Sequence, residues 1–173
     1  MRDPEELYEV VGDLEGIPRG LDLIAGLTGF ADAGGVVTQL GEHLLDELET
    51  HEVVRFDNDA LLDYRSRRPI MTFDQTQLTE FHPQRLALHL VEDEMGRPFL
   101  LLTGYEPDLK WERFAAAAMG LIDRLGVART TWGHAIPMPV PHTRPIRATV
   151  SGNRADLTEA MSIWRPTTRL PGT

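Results

Sequence analysis

The chain has no cysteine. That excludes a disulfide framework, a thiol nucleophile and a cysteine-ligated zinc, and it is compatible with a reducing cytoplasm. Positive charge is scarce: 17 lysines and arginines stand against 27 aspartates and glutamates, a net charge of −10. A general nucleic-acid binder, or a protein held on anionic membranes, is therefore disfavoured. Long apolar runs are missing too. No stretch approaches the roughly 20 residues of a membrane span, and the first six residues, Met1 to Glu6, lack the apolar core of a signal peptide. There are no internal repeats and no low-complexity tracts. What remains is a cytoplasmic acidic chain of 173 residues, long enough for one domain with a core of its own.

Apolar and polar residues alternate between strand and helix periods. The acidic stretch 1–20 carries a short apolar edge of Leu7, Tyr8, Val10, Val11 and Leu14 and reads as a lead-in to a domain over 21–173. Leu21 to Leu27 is a mostly apolar run broken by Gly26, the form of a parallel strand buried on both faces. From Gly35 onward Val37, Leu40, Gly41, Leu44, Leu45 and Leu48 recur at helical spacing, which predicts an amphipathic helix packed on a sheet. His51 to Phe56 predicts a second strand, and 57–68 a polar, turn-rich connection. Leu86 to Val91 and Arg97 to Leu102 flank Glu92 to Gly96 as a hairpin, with Pro69 to Phe73 expected to pair beside them.

The helix expected over about 108–125 bears a stripe of Trp111, Phe114, Ala115, Ala118, Leu121, Ile122 and Leu125, closed by Gly126 as a C′ glycine. Val127 to Trp132 supplies a further strand. The fold class that follows is α/β, a three-layer αβα domain with a mixed sheet.

Three strand-like runs end in loops of glycines, prolines and polar groups: Gly29 to Gly35, Gly104 to Asp108, and Pro137 to Pro145. Parallel strands would bring these loops to one rim, where open α/β sheets place ligands and partners. The expected rim residues are Asp32, Glu106, Asp108, His134, His142, Thr143 and Arg144. The glycines of the first loop match neither the dinucleotide fingerprint nor a Walker loop, so the simpler reading has Asp32 capping the helix that follows. Glu106 and Asp108 read as helix-start carboxylates, favoured there by the dipole and by free N–H groups. They could perform acid/base work only if burial separated their pKa values.

Pro137, Pro139, Pro141 and Pro145 stiffen the third loop, which presents His142, Thr143 and Arg144 on a backbone with little freedom, as suits recognition. His142 and Arg144 suit a carboxylate or phosphate. His134, His142 and Asp32 lack a diagnostic metal spacing, so neither metal nor cofactor is expected. No nucleophile stands with an oriented base.

The motifs Gly29 to Gly34, Leu102 to Asp108 followed by Trp111 and Phe114, and Pro141 to Pro145 occur in an order that resembles the PAC2 (proteasome assembly chaperone 2) family, in particular its actinobacterial branch. The resemblance runs from about Leu7 onward, and the third motif is its most specific part. It implies an α/β fold similar to purine nucleoside phosphorylases and related hydrolases. Members resembling this chain continue beyond Ser162 to Thr173, so a C-terminally shortened version or a fragment is expected. The function implied is a non-catalytic protein-interaction or assembly factor with a protein partner, self-association being allowed, and with no nucleic acid or membrane insertion. The alternative is a hydrolase or phosphorylase of nucleoside-like substrates, with Asp32 or Glu106 as acid/base and Arg144 as anion clamp.

Overall fold

The computed structural model describes residues 3–29, 31–145, 148–161 and 167. They fall into two compact units, 1–137 and 138–173. The strands of the first unit are β1 (Tyr8–Val10), β2 (Asp22–Thr28), β3 (Glu49–Phe56), β4 (Ile70–Asp74), β5 (Gln77–His82), β6 (Leu86–Glu92), β7 (Pro98–Tyr105) and β8 (Arg129–Trp132). Its helices are α1 (Val36–Glu47), the single turn α2 (Asn58–Leu61) and α3 (Trp111–Leu125). The second unit holds α4 (Ala155–Met161). Among the described residues no helix is long and apolar enough to cross a membrane.

Six strands form one mixed sheet in the order β1-β3-β6-β7-β2-β8. β2 runs parallel to both β7 and β8, while β6 is antiparallel to β7 and to β3, and β3 to β1. Strand alternation divides the apolar side chains between two faces. Leu23, Leu88, Leu100 and Leu102 meet Phe114, Leu121 and Leu125 of α3 in the main core. On the other face α1 lies close: a Cβ on Gly26 would sit 3.0 Å from Val37, and one on Gly41 2.8 Å from the Thr103 hydroxyl. The three layers are thus α1, sheet and α3. Leu7, Leu14 and Ile17, from the first 20 residues, are buried in the main core, and β1 pairs with β3.

Gly104 illustrates how tightly the central strands pass. Its φ is 136°, and a Cβ there would lie 2.1 Å from the Arg85 carbonyl oxygen, so glycine alone lets β7 run against the start of β6. Gly126 closes α3 in the left-handed region at φ 62°, as expected of a C′ glycine.

Three expectations need correction. Pro69 to Phe73 does not join the main hairpin. β6 and β7 already have neighbours on both sides, so Ile70–Asp74 pairs with Gln77–His82 in a separate two-stranded sheet. Trp111 is 40% exposed and Ala115 is exposed, whereas Ala117, outside the expected stripe, is buried with Phe114 and Leu121. The contact band of α3 is therefore narrower at its N-terminal end than its apolar stripe. The polar connection 57–68 contains α2 and buries Ala60, Leu61 and Leu62.

Candidate functional site

The parallel neighbours β7, β2 and β8 bring the residues that directly follow them, from Glu106, Gly29 and Gly133, to one end of the sheet; Met138 to Pro145 of the expected third loop lie in the second unit. Pairing continues past the strand ends: Ala33 N–H donates to the Ala135 carbonyl at 3.1 Å, and Asp32 forms a parallel bridge with Ala135. Glu106 N–H donates to the Thr28 carbonyl at 2.7 Å. Asp32, Glu106 and His134 therefore occupy one rim.

Asp32 does cap α1. Its Oδ1 accepts from Val37 N–H at 2.8 Å, and its Oδ2 accepts from Thr38 N–H at 3.0 Å and the Thr38 hydroxyl at 2.7 Å. Partial burial works against the charged form, but the Thr38 hydroxyl, the two amides and the nearby His134 outweigh it and hold the carboxyl below its usual range. A carboxylate fixed as an acceptor in this way is a poor proton donor near neutral pH. Gln39 steadies the glycine loop by donating to the Gly34 carbonyl at 2.7 Å.

Asp108 does not cap α3. That helix begins at Trp111 after Lys110, which is in the left-handed region at φ 57° and makes no side-chain cap. The carboxylate of Asp108 instead accepts from Asp63 N–H at 2.8 Å and pairs with Arg67 at 2.8 Å. Asp108 and Leu109 N–H both donate to the Leu61 carbonyl, at 2.8 and 3.1 Å. The loop after β7 thus turns away from its own helix and clamps the 57–67 segment onto the rim.

Tyr105 anchors this clamp. It is fully buried, donates to Asn58 Oδ1 at 2.7 Å, and lies under the Arg67 guanidinium, 5.8 Å from the ring centroid. Asn58 in turn donates to the Gln84 carbonyl at 2.6 Å. Burial, with smaller contributions from Tyr64, Asp57 and Asp108, pushes the Tyr105 phenol far above its usual range, so it remains a neutral donor. Glu106 and Arg67 converge over Gly29: a Cβ there would meet Glu106 Cβ at 2.8 Å, Glu106 Oε2 at 2.9 Å and Arg67 Nη2 at 3.1 Å.

Arg67, Asp63 and Asn58 escape the sequence reading because nothing local ties them to a loop some 40 residues away. The signal that points to them is the apolar pair Leu61-Leu62 inside a polar stretch, which predicts a buried anchor. His142, Thr143 and Arg144 belong to the second unit, where they are exposed on a turn closed by Arg144 N–H donating to the Pro141 carbonyl at 2.9 Å.

Comparison with curated proteins finds no match. Among solved structures, a Mycobacterium tuberculosis protein of unknown function is 42% identical, with a TM-score of 0.90 over 96% of this chain and 59% of its own length. A Corynebacterium glutamicum protein of unknown function is 38% identical, with a TM-score of 0.88 over 96% of this chain and 64% of its own. The chain therefore spans about three fifths of the length of these relatives. A proteasome-assembly chaperone homologue from Mycobacterium tuberculosis, 22% identical, shares the fold at a TM-score of 0.77 over 88% of this chain and 65% of its own. The PAC2 family model matches residues 26–173, which take in all three sequence motifs, and the chain belongs to the PAC2 family.

Proposed function

We propose that the chain is a non-catalytic, cytoplasmic protein-interaction or assembly factor. Its recognition elements are the rim loops of the first unit, with Asp32, Glu106, Asp108 and His134, and the proline-framed His142, Thr143 and Arg144 of the second. One observation carries this reading: both Asp32 and Asp108 are engaged by internal donors that fix the shape of the loops. Such a rim offers a rigid contour to a partner, whereas acid/base catalysis needs a group free to exchange its proton. Membership of a family named for assembly chaperones favours a protein partner, and the net charge of −10 disfavours nucleic acid.

Affinity capture from the source organism, comparing wild type with the His142→Ala, Arg144→Ala double variant, tests the reading. The same two proteins are assayed against a panel of nucleosides for hydrolysis and phosphorolysis. The expected result is a protein retained by wild type and lost by the variant, with no turnover by either. Thermal unfolding should be nearly unchanged, since exposed substitutions usually shift stability by less than about 0.5 kcal/mol. Robust wild-type turnover that the variant abolishes would instead establish the hydrolase or phosphorylase alternative.

A further inference from the structure

Three carboxylates stand at or beside the rim, and two of them are engaged by the protein's own donors: Asp32 by Val37 and Thr38, Asp108 by Asp63 and Arg67. Glu106 is not. It is partly buried and its N–H donates to the Thr28 carbonyl, yet among the described residues its carboxylate makes no hydrogen bond and no ion pair. Arg67 faces it across Gly29. The point where a side chain at Gly29 would begin lies 2.9 Å from Glu106 Oε2 and 3.1 Å from Arg67 Nη2, so the two charged ends close on one spot whose floor is an exposed glycine. The two ends do not pair with each other. Asp108 Oδ1 holds the Arg67 guanidinium at 2.8 Å, and the Tyr105 ring lies beneath it.

Such a hollow selects by its pattern of donors and acceptors. Arg67 has N–H groups beyond the one that Asp108 takes, whereas the Glu106 carboxylate offers acceptors only. A lysine or arginine side chain entering over Gly29 would meet the Arg67 cation, and an aspartate or glutamate would meet Glu106, so either one leaves a wall opposed by like charge. A primary carboxamide answers both walls at once. Its carbonyl accepts from Arg67 while its NH2 donates to Glu106, and hydrogen bonds with one ionised member are the stronger ones.

We propose that the hollow over Gly29 is a recognition socket for a carboxamide, the side chain of an asparagine or glutamine on a protein partner, with Glu106 as acceptor and Arg67 as donor. The inference rests on the proposed function, which supplies a protein as the bearer of the amide. It also accounts for a glycine at position 29, because a Cβ there would occupy the space that the amide needs.

The test titrates the purified chain with blocked tripeptides that carry glutamine, glutamate or lysine between two glycines, and reads the backbone amide shifts of Gly29 and Glu106 by NMR. Inosine, whose base edge also sets a donor beside an acceptor, is titrated in parallel. The glutamine peptide is expected to give saturable shifts at both positions, with the glutamate and lysine peptides at least about tenfold weaker. Glu106→Gln keeps the shape of the side chain and breaks no side-chain contact to the described residues, and it should weaken the glutamine peptide by a similar factor. Gly29→Ala should abolish that binding; should the alanine disturb the loop, Glu106→Gln decides. Equal or tighter binding of a charged peptide, no shift with any peptide, shifts from inosine alone, or a Glu106→Gln variant that binds like wild type would each overturn the proposal. A partner retained in affinity capture while no peptide shifts Gly29 would count against the socket alone, and peptide binding with no protein retained would count against the proposed function alone.

Discussion

The face of the sheet beneath α3 and the apolar face of the β4–β5 ribbon are built alike. Each sets aliphatic and aromatic side chains at alternate positions on paired strands. Under α3, Leu23, Leu88, Leu100 and Leu102 are buried against Phe114 and Leu121; on the ribbon, Phe73 and Leu78 stand in the open. Alternation determines which side chains share a face, and it is silent on whether anything covers that face. The cover for the first comes from α3, which follows β7 in the chain after a five-residue connection, whereas the ribbon is closed upon itself before any helix can reach it.

The largest effect expected of this contrast lies at Phe114. Phe114→Ala should destabilise the protein by about 3 to 5 kcal/mol, read as a lowered midpoint in urea, because the ring fills the core and makes an edge contact with Phe56 at 5.1 Å between centroids. An unchanged midpoint would mean that the α3 face is as dispensable as the ribbon.

The clamp between the two regions comes next. Asp108→Ala leaves the half-buried Arg67 guanidinium and the Asp63 amide without their acceptor, which should cost about 1 to 3 kcal/mol. Hydrogen exchange should accelerate across residues 57–68, with the β6–β7 ladder still protected. Uniform acceleration over both would show that the clamp is not a local device.

A smaller effect should follow pH. Burial lowers the pKa of His89, on the α1 side of the sheet, below its usual 6.5, with Glu52 partly opposing the shift. Its Nδ1 has no hydrogen-bond partner among the described residues. The folded state therefore favours the neutral ring, so the stability it allows is complete above the usual pKa and is lost as pH falls through that value towards the depressed one. The melting temperature should drop on acidification below about pH 6.5, and His89→Leu should shrink that drop. An identical pH profile in the variant would remove His89 from the account.

The smallest effect belongs to the ribbon itself. In dilute solution Phe73→Ala should change stability by less than about 0.5 kcal/mol, although it removes a side chain as large as Phe114. Similar losses at the two positions would erase the distinction between covered and uncovered faces.

Whatever depends on near neighbours along the chain is readable from the residues in order. The strand alternation of β2, β6 and β7, the hairpin between β6 and β7, the Gly126 stop and the Asp32 cap are all settled within a few residues, where propensity, turn chemistry and helix-end hydrogen bonding act. The three loop motifs are legible for the same reason, and they suffice to suggest the family. Tertiary structure alone decided the partners of Asp108, the clamp through Arg67, Asp63 and Asn58, the exposure of Trp111 and the separation of β4 from the main sheet. Each of these is a competition among groups distant in sequence for the same donor, edge or face. Composition and periodicity show which groups compete, and only their arrangement in space shows which one wins.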